Sequence, residues 1–134
     1  MNIENKKLTE LLSKIGTSMY AYSEELPEDE KWNICAKLRN RSSDAISWAA
    51  EASGSIDPRD IKWALGKSRA SLAVVKATYK HACNVGLLTL NPEIMVWSEQ
   101  AMKEIDLLIK NATADIPSWF VEMDPPAPTK DIKR

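Results

Sequence analysis

The sequence predicts an all-α protein, an up-down-up-down four-helix bundle. Three observations carry that expectation. Apolar residues recur at alternating steps of three and four along most of the chain, which is the period of one helix face. Three short breaks containing Pro, Gly, Asn or Asp cut the pattern into four segments. Only four Gly and one Phe occur, and no alternating or β-branched run suggests a strand. At 134 residues, with 44% hydrophobic and 28% charged side chains, the chain is one domain's worth, long enough to bury a core without disulfides or metal. Short connections make successive helices antiparallel neighbours.

The elements follow in order. Leu8, Leu12, Ile15, Met19 and Tyr22 form one stripe of a first helix, over about residues 3–24. Gly16 within it points to a close neighbour. Pro27 and the acids Glu28, Asp29 and Glu30 open a second helix, over about 28–53, where the positive end of the helix dipole favours carboxylates. Its inward positions are Ile34, Leu38, Ala45, Ala49 and Ala52. The small residues of its second half invite close approach. Gly54 suits a C-terminal cap, Asp57 an N-cap and Pro58 the first helical position. Helix three carries the clearest stripe: Ile61, Leu65, Ser68, Leu72, Val75, Tyr79 and Ala82. That is the seam of a left-handed bundle. Gly86 should close it, and Asn91-Pro92 should open helix four, whose stripe is Ile94, Trp97, Ala101, Ile105, Leu108 and Ala112. Pro117 stops it. The expected organisation is therefore a bundle over residues 1–116 and a proline-containing tail over 117–134. In that tail Trp119, Phe120, Val121 and Met123 are large apolar side chains in a segment with no helix of its own.

Composition alone argues against a membrane protein, a secreted disulfide scaffold and a two-domain enzyme. No stretch of eighteen apolar residues occurs, as a membrane span requires. Residues 1–7 lack the apolar region of a secretory signal, so a cytoplasmic protein is expected. Cys35 and Cys83 sit within helical patterns and read as small buried hydrophobes. His81 lies too near Cys83 to share a helix face with it. No metal-ligand spacing, glycine-rich phosphate loop or Glu-x-x-His is present. The expectation is no catalytic residue, no metal and no cofactor.

Charge is unevenly distributed. Residues 1–30 carry a net −4, residues 31–81 a net +6 and residues 82–134 a net −3, giving −1 overall. The basic side chains lie on helices two and three: Lys37, Arg39 and Arg41 on one, Lys62, Arg69, Lys76 and Lys80 on the other. Lys62, Arg69 and Lys76 are seven apart and share one row. Such a row is either a solvated face or a set of salt bridges to helices one and four, or else a strip for the phosphates of a nucleic acid or for an acidic protein surface. Five Trp are dense for this length. Trp48, Trp63, Trp119 and Phe120 are candidates for a subunit interface, where aromatics are enriched.

Pro27-Glu28-Asp29-Glu30-Lys31-Trp32, Arg39, Ala50-Glu51, Ser71-Leu72-Ala73, Ala82 and Gly86-Leu87-Leu88 together resemble a bacterial four-helix bundle family. Its members are the proteins encoded in intervening sequences of large-subunit ribosomal RNA genes and the accessory variability determinant of diversity-generating retroelements. The resemblance spans about residues 27–88. This chain has Ile46, Trp48 and Ala52 where the family often has Pro, Asn and Gly, and Val74 where it has Glu. The resemblance implies a homo-oligomeric ring, with the pentamer as the expected size, and no enzymatic activity. It also implies an accessory role that binds RNA or DNA, a reverse transcriptase, or both. The alternative is a structural protein-interaction module, a homo-oligomeric bundle with no nucleic-acid role.

The register of helix three is testable by itself. Leu72 is mid-seam and His81 is off it. Leu72→Ala should cost roughly 2–5 kcal/mol in denaturant unfolding, and His81→Gln should leave the midpoint unchanged. Equal losses would mean that the register is wrong.

Overall fold

The computed structural model describes residues 5–121. Its main elements are α1 (Lys6–Glu24), α2 (Ala36–Gly54), α3 (Pro58–Asn84), α4 (Pro92–Thr113) and a short α5 (Ser118–Val121). The four long helices pack as a bundle in which α1 meets α2, α2 meets α3, α3 meets α4, and α4 closes on α1. Among the described residues no helix is long and apolar enough to cross a membrane.

The seams read from the sequence are the buried ones, except that Tyr22 and Trp97 are only partly buried against the core. Leu8, Leu12, Ile15 and Met19 of α1, Leu38 of α2, Ile61, Leu65, Leu72, Val75 and Tyr79 of α3, and Ile94 and Ile105 of α4 form one core. Between α2 and α3, the most extensive pairing, the buried side chains are small: Ser42, Ala45, Ala49 and Ala52 on one helix, Ala64, Ser68 and Ser71 on the other. The backbones come close enough for the Ser68 hydroxyl to donate to the Ala45 carbonyl at 2.7 Å. Gly16 serves the α1–α2 approach. A Cβ there would stand 3.3 Å from Cδ1 of Ile46.

The breaks follow their residues. Asp57 and Asn91 cap α3 and α4, each carboxylate or amide oxygen accepting from the backbone N–H two residues on, at 2.8 and 3.0 Å. Pro58 and Pro92 take the first helical positions. Gly86, at φ +84°, ends α3. The Leu87 N–H bonds to the Ala82 carbonyl at 2.9 Å and the Gly86 N–H to the Cys83 carbonyl at 3.1 Å, the paired bonds of a left-handed C-terminal cap.

Four expectations are corrected. The second helix does not run unbroken from 28. A 3-10 turn over Glu28–Glu30 and a π-helical turn over Lys31–Cys35 precede α2. Gly54 stays within α2, and its φ is not positive. The tail does contain a helix, the one-turn α5 after Pro117, begun by a Phe120 N–H to Pro117 carbonyl bond of 3.0 Å. Both cysteines are half-buried free thiols rather than wholly buried. Residues 1–4, Met123 and the rest of the tail from 122 lie outside the described residues.

One polar cluster ties the α3–α4 connection to α1. The Tyr79 ring is wholly buried. Its hydroxyl donates to the Thr89 carbonyl at 3.2 Å and accepts from the Asn91 N–H at 2.8 Å. The Asn91 side-chain amide in turn donates to the Tyr22 hydroxyl at 3.0 Å. Burial pushes the Tyr79 phenol well above the usual tyrosine range; the Asn91 N–H opposes this, and neighbouring Cys83 and Tyr22 add to it. The folded state therefore favours the neutral phenol. That contribution is complete below the unfolded value of about 10 and is lost as pH rises through the folded one. Tyr79→Phe should cost about 1–3 kcal/mol at neutral pH by leaving the Asn91 N–H without an acceptor. The gap between wild type and variant in thermal melts should narrow above pH about 10. A gap that stayed constant through alkaline pH would contradict the assignment.

Candidate interaction surfaces

The seven-residue spacing sets Lys62, Arg69 and Lys76 along the α4-facing flank of α3. Two of them are engaged there. The Arg69 guanidinium forks onto the Asp106 carboxylate, at 2.9 Å from Nε and 3.3 Å from Nη2. The Lys76 ammonium binds the Glu99 carboxylate. Asp106 and Glu99 are also seven apart, so two antiparallel helices in register form a ladder of two rungs. Lys76 beside it holds the Glu99 carboxyl below the usual carboxylate range, by hydrogen bond first and charge second. Lys62 is half-buried and Lys80 exposed.

The cations of α2 separate. Arg39 turns to α1, where Nε donates to the Ser23 hydroxyl at 2.6 Å and the guanidinium lies 5.0 Å from the centre of the Tyr20 ring. Arg41 pairs with Asp44 on its own helix at 3.6 Å. Lys37 is exposed. The seven basic candidates thus do not form one continuous strip.

The aromatic candidates fall into two groups. Trp48 of α2 and Trp63 of α3 meet edge to face, with ring centres 5.0 Å apart, across the outer edge of the close α2–α3 seam. Trp48 is half-buried against the core. Trp63 is 44% exposed, with the Lys67 ammonium 5.5 Å from its ring. Trp119 and Phe120 of α5 also meet edge to face, at 6.0 Å. The Arg59 guanidinium sits 4.4 Å from the Phe120 ring while binding Asp57 at 2.9 Å. Asp57 is held below the usual carboxylate range by that side chain and by the Arg59 backbone N–H. Trp119 remains 67% exposed.

The sequence reading missed a second apolar stripe on α3, opposite the core seam. Trp63, Gly66, Ala70, Ala73, Val74 and Ala77 all face solvent. Exposed Ile56 and Val85 lie at its two ends. The signal was present as another run of steps of three and four. It was masked because the stronger core stripe on the same helix had already accounted for the periodicity. Trp32, which interleaves with the bases of the second helix, is 86% exposed in the π-helical turn.

No family model, curated protein or solved structure matches the chain. What is shown is an all-helical protein of four long packed helices.

The Lys76–Glu99 rung has a pH signature. Because the Glu99 folded-state value is depressed, its contribution is present above the unfolded value of about 4.3 and is lost as pH falls through the folded one. In an NMR titration, Lys76→Gln should move the Glu99 midpoint upward, toward that of an ordinary glutamate. An unmoved midpoint would show that the rung does not persist in solution.

Proposed function

We propose that this chain is a non-catalytic protein-interaction module, a four-helix bundle that assembles with copies of itself. The observation that carries this reading is the outward face of α3, which presents an apolar stripe headed by Trp63 where a solvated helix carries charge. Trp119 and Ile56 add exposed apolar surface near its N-terminal end. The motif resemblance over residues 27–88 supports the same reading, since that family implies homo-oligomeric rings, pentamers among them, built from non-catalytic bundles.

Nucleic-acid or reverse-transcriptase binding is the second reading, and it rests on the resemblance and on exposed Lys37 and Lys80 with half-buried Lys62. It is weakened as a phosphate-tracking strip because Arg69 and Lys76 already neutralise acids of α4. Arg39 likewise turns to α1.

Light scattering at micromolar concentration should give a multiple of the 15.0 kDa chain mass that persists as salt rises, because apolar contacts are not screened. A monomer would overturn self-assembly. Fluorescence anisotropy with unrelated RNA and DNA strands separates the two readings. Binding whose affinity falls steeply between about 50 and 200 mM salt would favour the second.

A further inference from the structure

We infer that two copies of this chain pair through the outward faces of their α3 helices, antiparallel, about a two-fold axis passing at Ala70. The inference rests on the self-assembly reading above and adds its geometry.

The exposed positions of α3 between 63 and 77 are Trp63, Gly66, Lys67, Ala70, Ala73, Val74 and Ala77. One of these seven is charged. On a helix that meets only water, straight-chain polar residues would be expected there. Gly66 is the more telling. It lies in the interior of α3, where glycine is unfavourable relative to alanine. A Cβ at that position would meet nothing within 4 Å. Packing within one copy therefore gives no steric reason for this glycine, whereas the approach of a second backbone from outside does.

The order of side-chain sizes along the stripe identifies the occupant as a second copy. Antiparallel pairing centred on Ala70 sets each residue against one equally far on the other side. Trp63, seven residues before the centre, or about 10.5 Å along the helix, falls on the partner's Ala77. Gly66, four before the centre, falls on the partner's Val74, and the Lys67 stem, three before it, lies along the partner's Ala73. Ala70 meets the partner's Ala70. Large thus meets small on either side of the axis, small meets small on it, and the same contacts recur on the other side, as an isologous interface requires. The ends agree in charge and polarity. Asp60, ten before the centre, falls on the partner's Lys80, exposed and of opposite charge. Exposed Ile56, just before α3, comes to the partner's Asn84, next to exposed Val85 just after that helix. The Arg69 and Lys76 rungs stand on the α4 flank, clear of the contact. Such a pairing closes with two copies and gives even-numbered assemblies, unlike a five-fold ring.

The test uses the full chain with Cys35→Ala and Cys83→Ala, so that one introduced thiol is present. Ala70→Cys should form a disulfide-linked dimer under mild oxidation at micromolar concentration, since the axis brings the two positions within bonding reach. Gln100→Cys, on the exposed face of α4, should not. In the otherwise native chain, Ala70→Arg should reduce the light-scattering mass to that of one chain while leaving the circular dichroism unchanged. Gly66→Ala, the milder variant, should weaken self-association at least tenfold without lowering the melting temperature of the separated chain. If the wild type is oligomeric but Ala70→Cys fails to cross-link and Ala70→Arg keeps the oligomer, the α3 pairing is wrong and self-assembly stands. A monomeric wild type overturns both.

Discussion

The close approach of α2 to α3 is the constraint on which the rest of the structure depends. Alanine and serine line that seam, and the Ser68 hydroxyl to Ala45 carbonyl bond spans it. A seam of small residues brings two backbones together but supplies little apolar volume. The large side chains of the core therefore come mainly from α1, α4 and the inward row of α3. The two large residues nearest the seam, Trp48 and Trp63, do not fit within it. They close it from outside, edge to face. Tight packing inside thus places aromatic surface outside, and the exposed stripe of α3 begins at that point.

What was legible in the sequence was what depends on one helix at a time. The inward row of α3 is buried from Ile61 to Ala82, because an unbroken alternation of threes and fours leaves one register. Asp57, Asn91 and Gly86 act at the places their chemistry suggests, because a cap is a local event. The start of the second helix was not legible. Its 3-10 and π-helical turns leave no mark in apolar spacing, because Ile34 still lies one turn before Leu38 and is buried as that spacing suggests. Ile34 turns inward there and Trp32 outward. The turn α5 was hidden for another reason: four residues are too few to show a period.

The candidate site was less legible than the fold because it depends on pairs of helices. That Arg69 faces Asp106 and Lys76 faces Glu99 requires the relative height of α3 and α4, which no single helix contains. The matched seven-residue spacing of both pairs is the trace it leaves in sequence. Arg39 shows the same limit. Read alone it is a cation on a basic helix. In the bundle it supplies what α1 lacks: the last turn of α1 contains Glu24 and no basic residue, which is unfavourable at the negative end of a helix dipole. The Arg39 guanidinium, bonded to Ser23 and stacked on Tyr20, brings positive charge to that end from the neighbouring helix.

These contacts give the acidic–basic–acidic pattern of the chain a structural meaning. The basic α3 neighbours the acidic α4 in the bundle, so charges segregated in sequence become adjacent in space. Arg69 and Lys76 then act mostly at short range on acids of α4, and less potential is left on that flank to extend beyond a Debye length of roughly 8–10 Å in physiological salt. Pairing of Arg69 and Lys76 with α4 weakens that flank as a track for a polyanion. The outward face of α3, with one charge between Trp63 and Ala77, offers close apolar contact, where shape counts for more than charge. On α3 that shape is a stripe whose large and small residues mirror one another about Ala70.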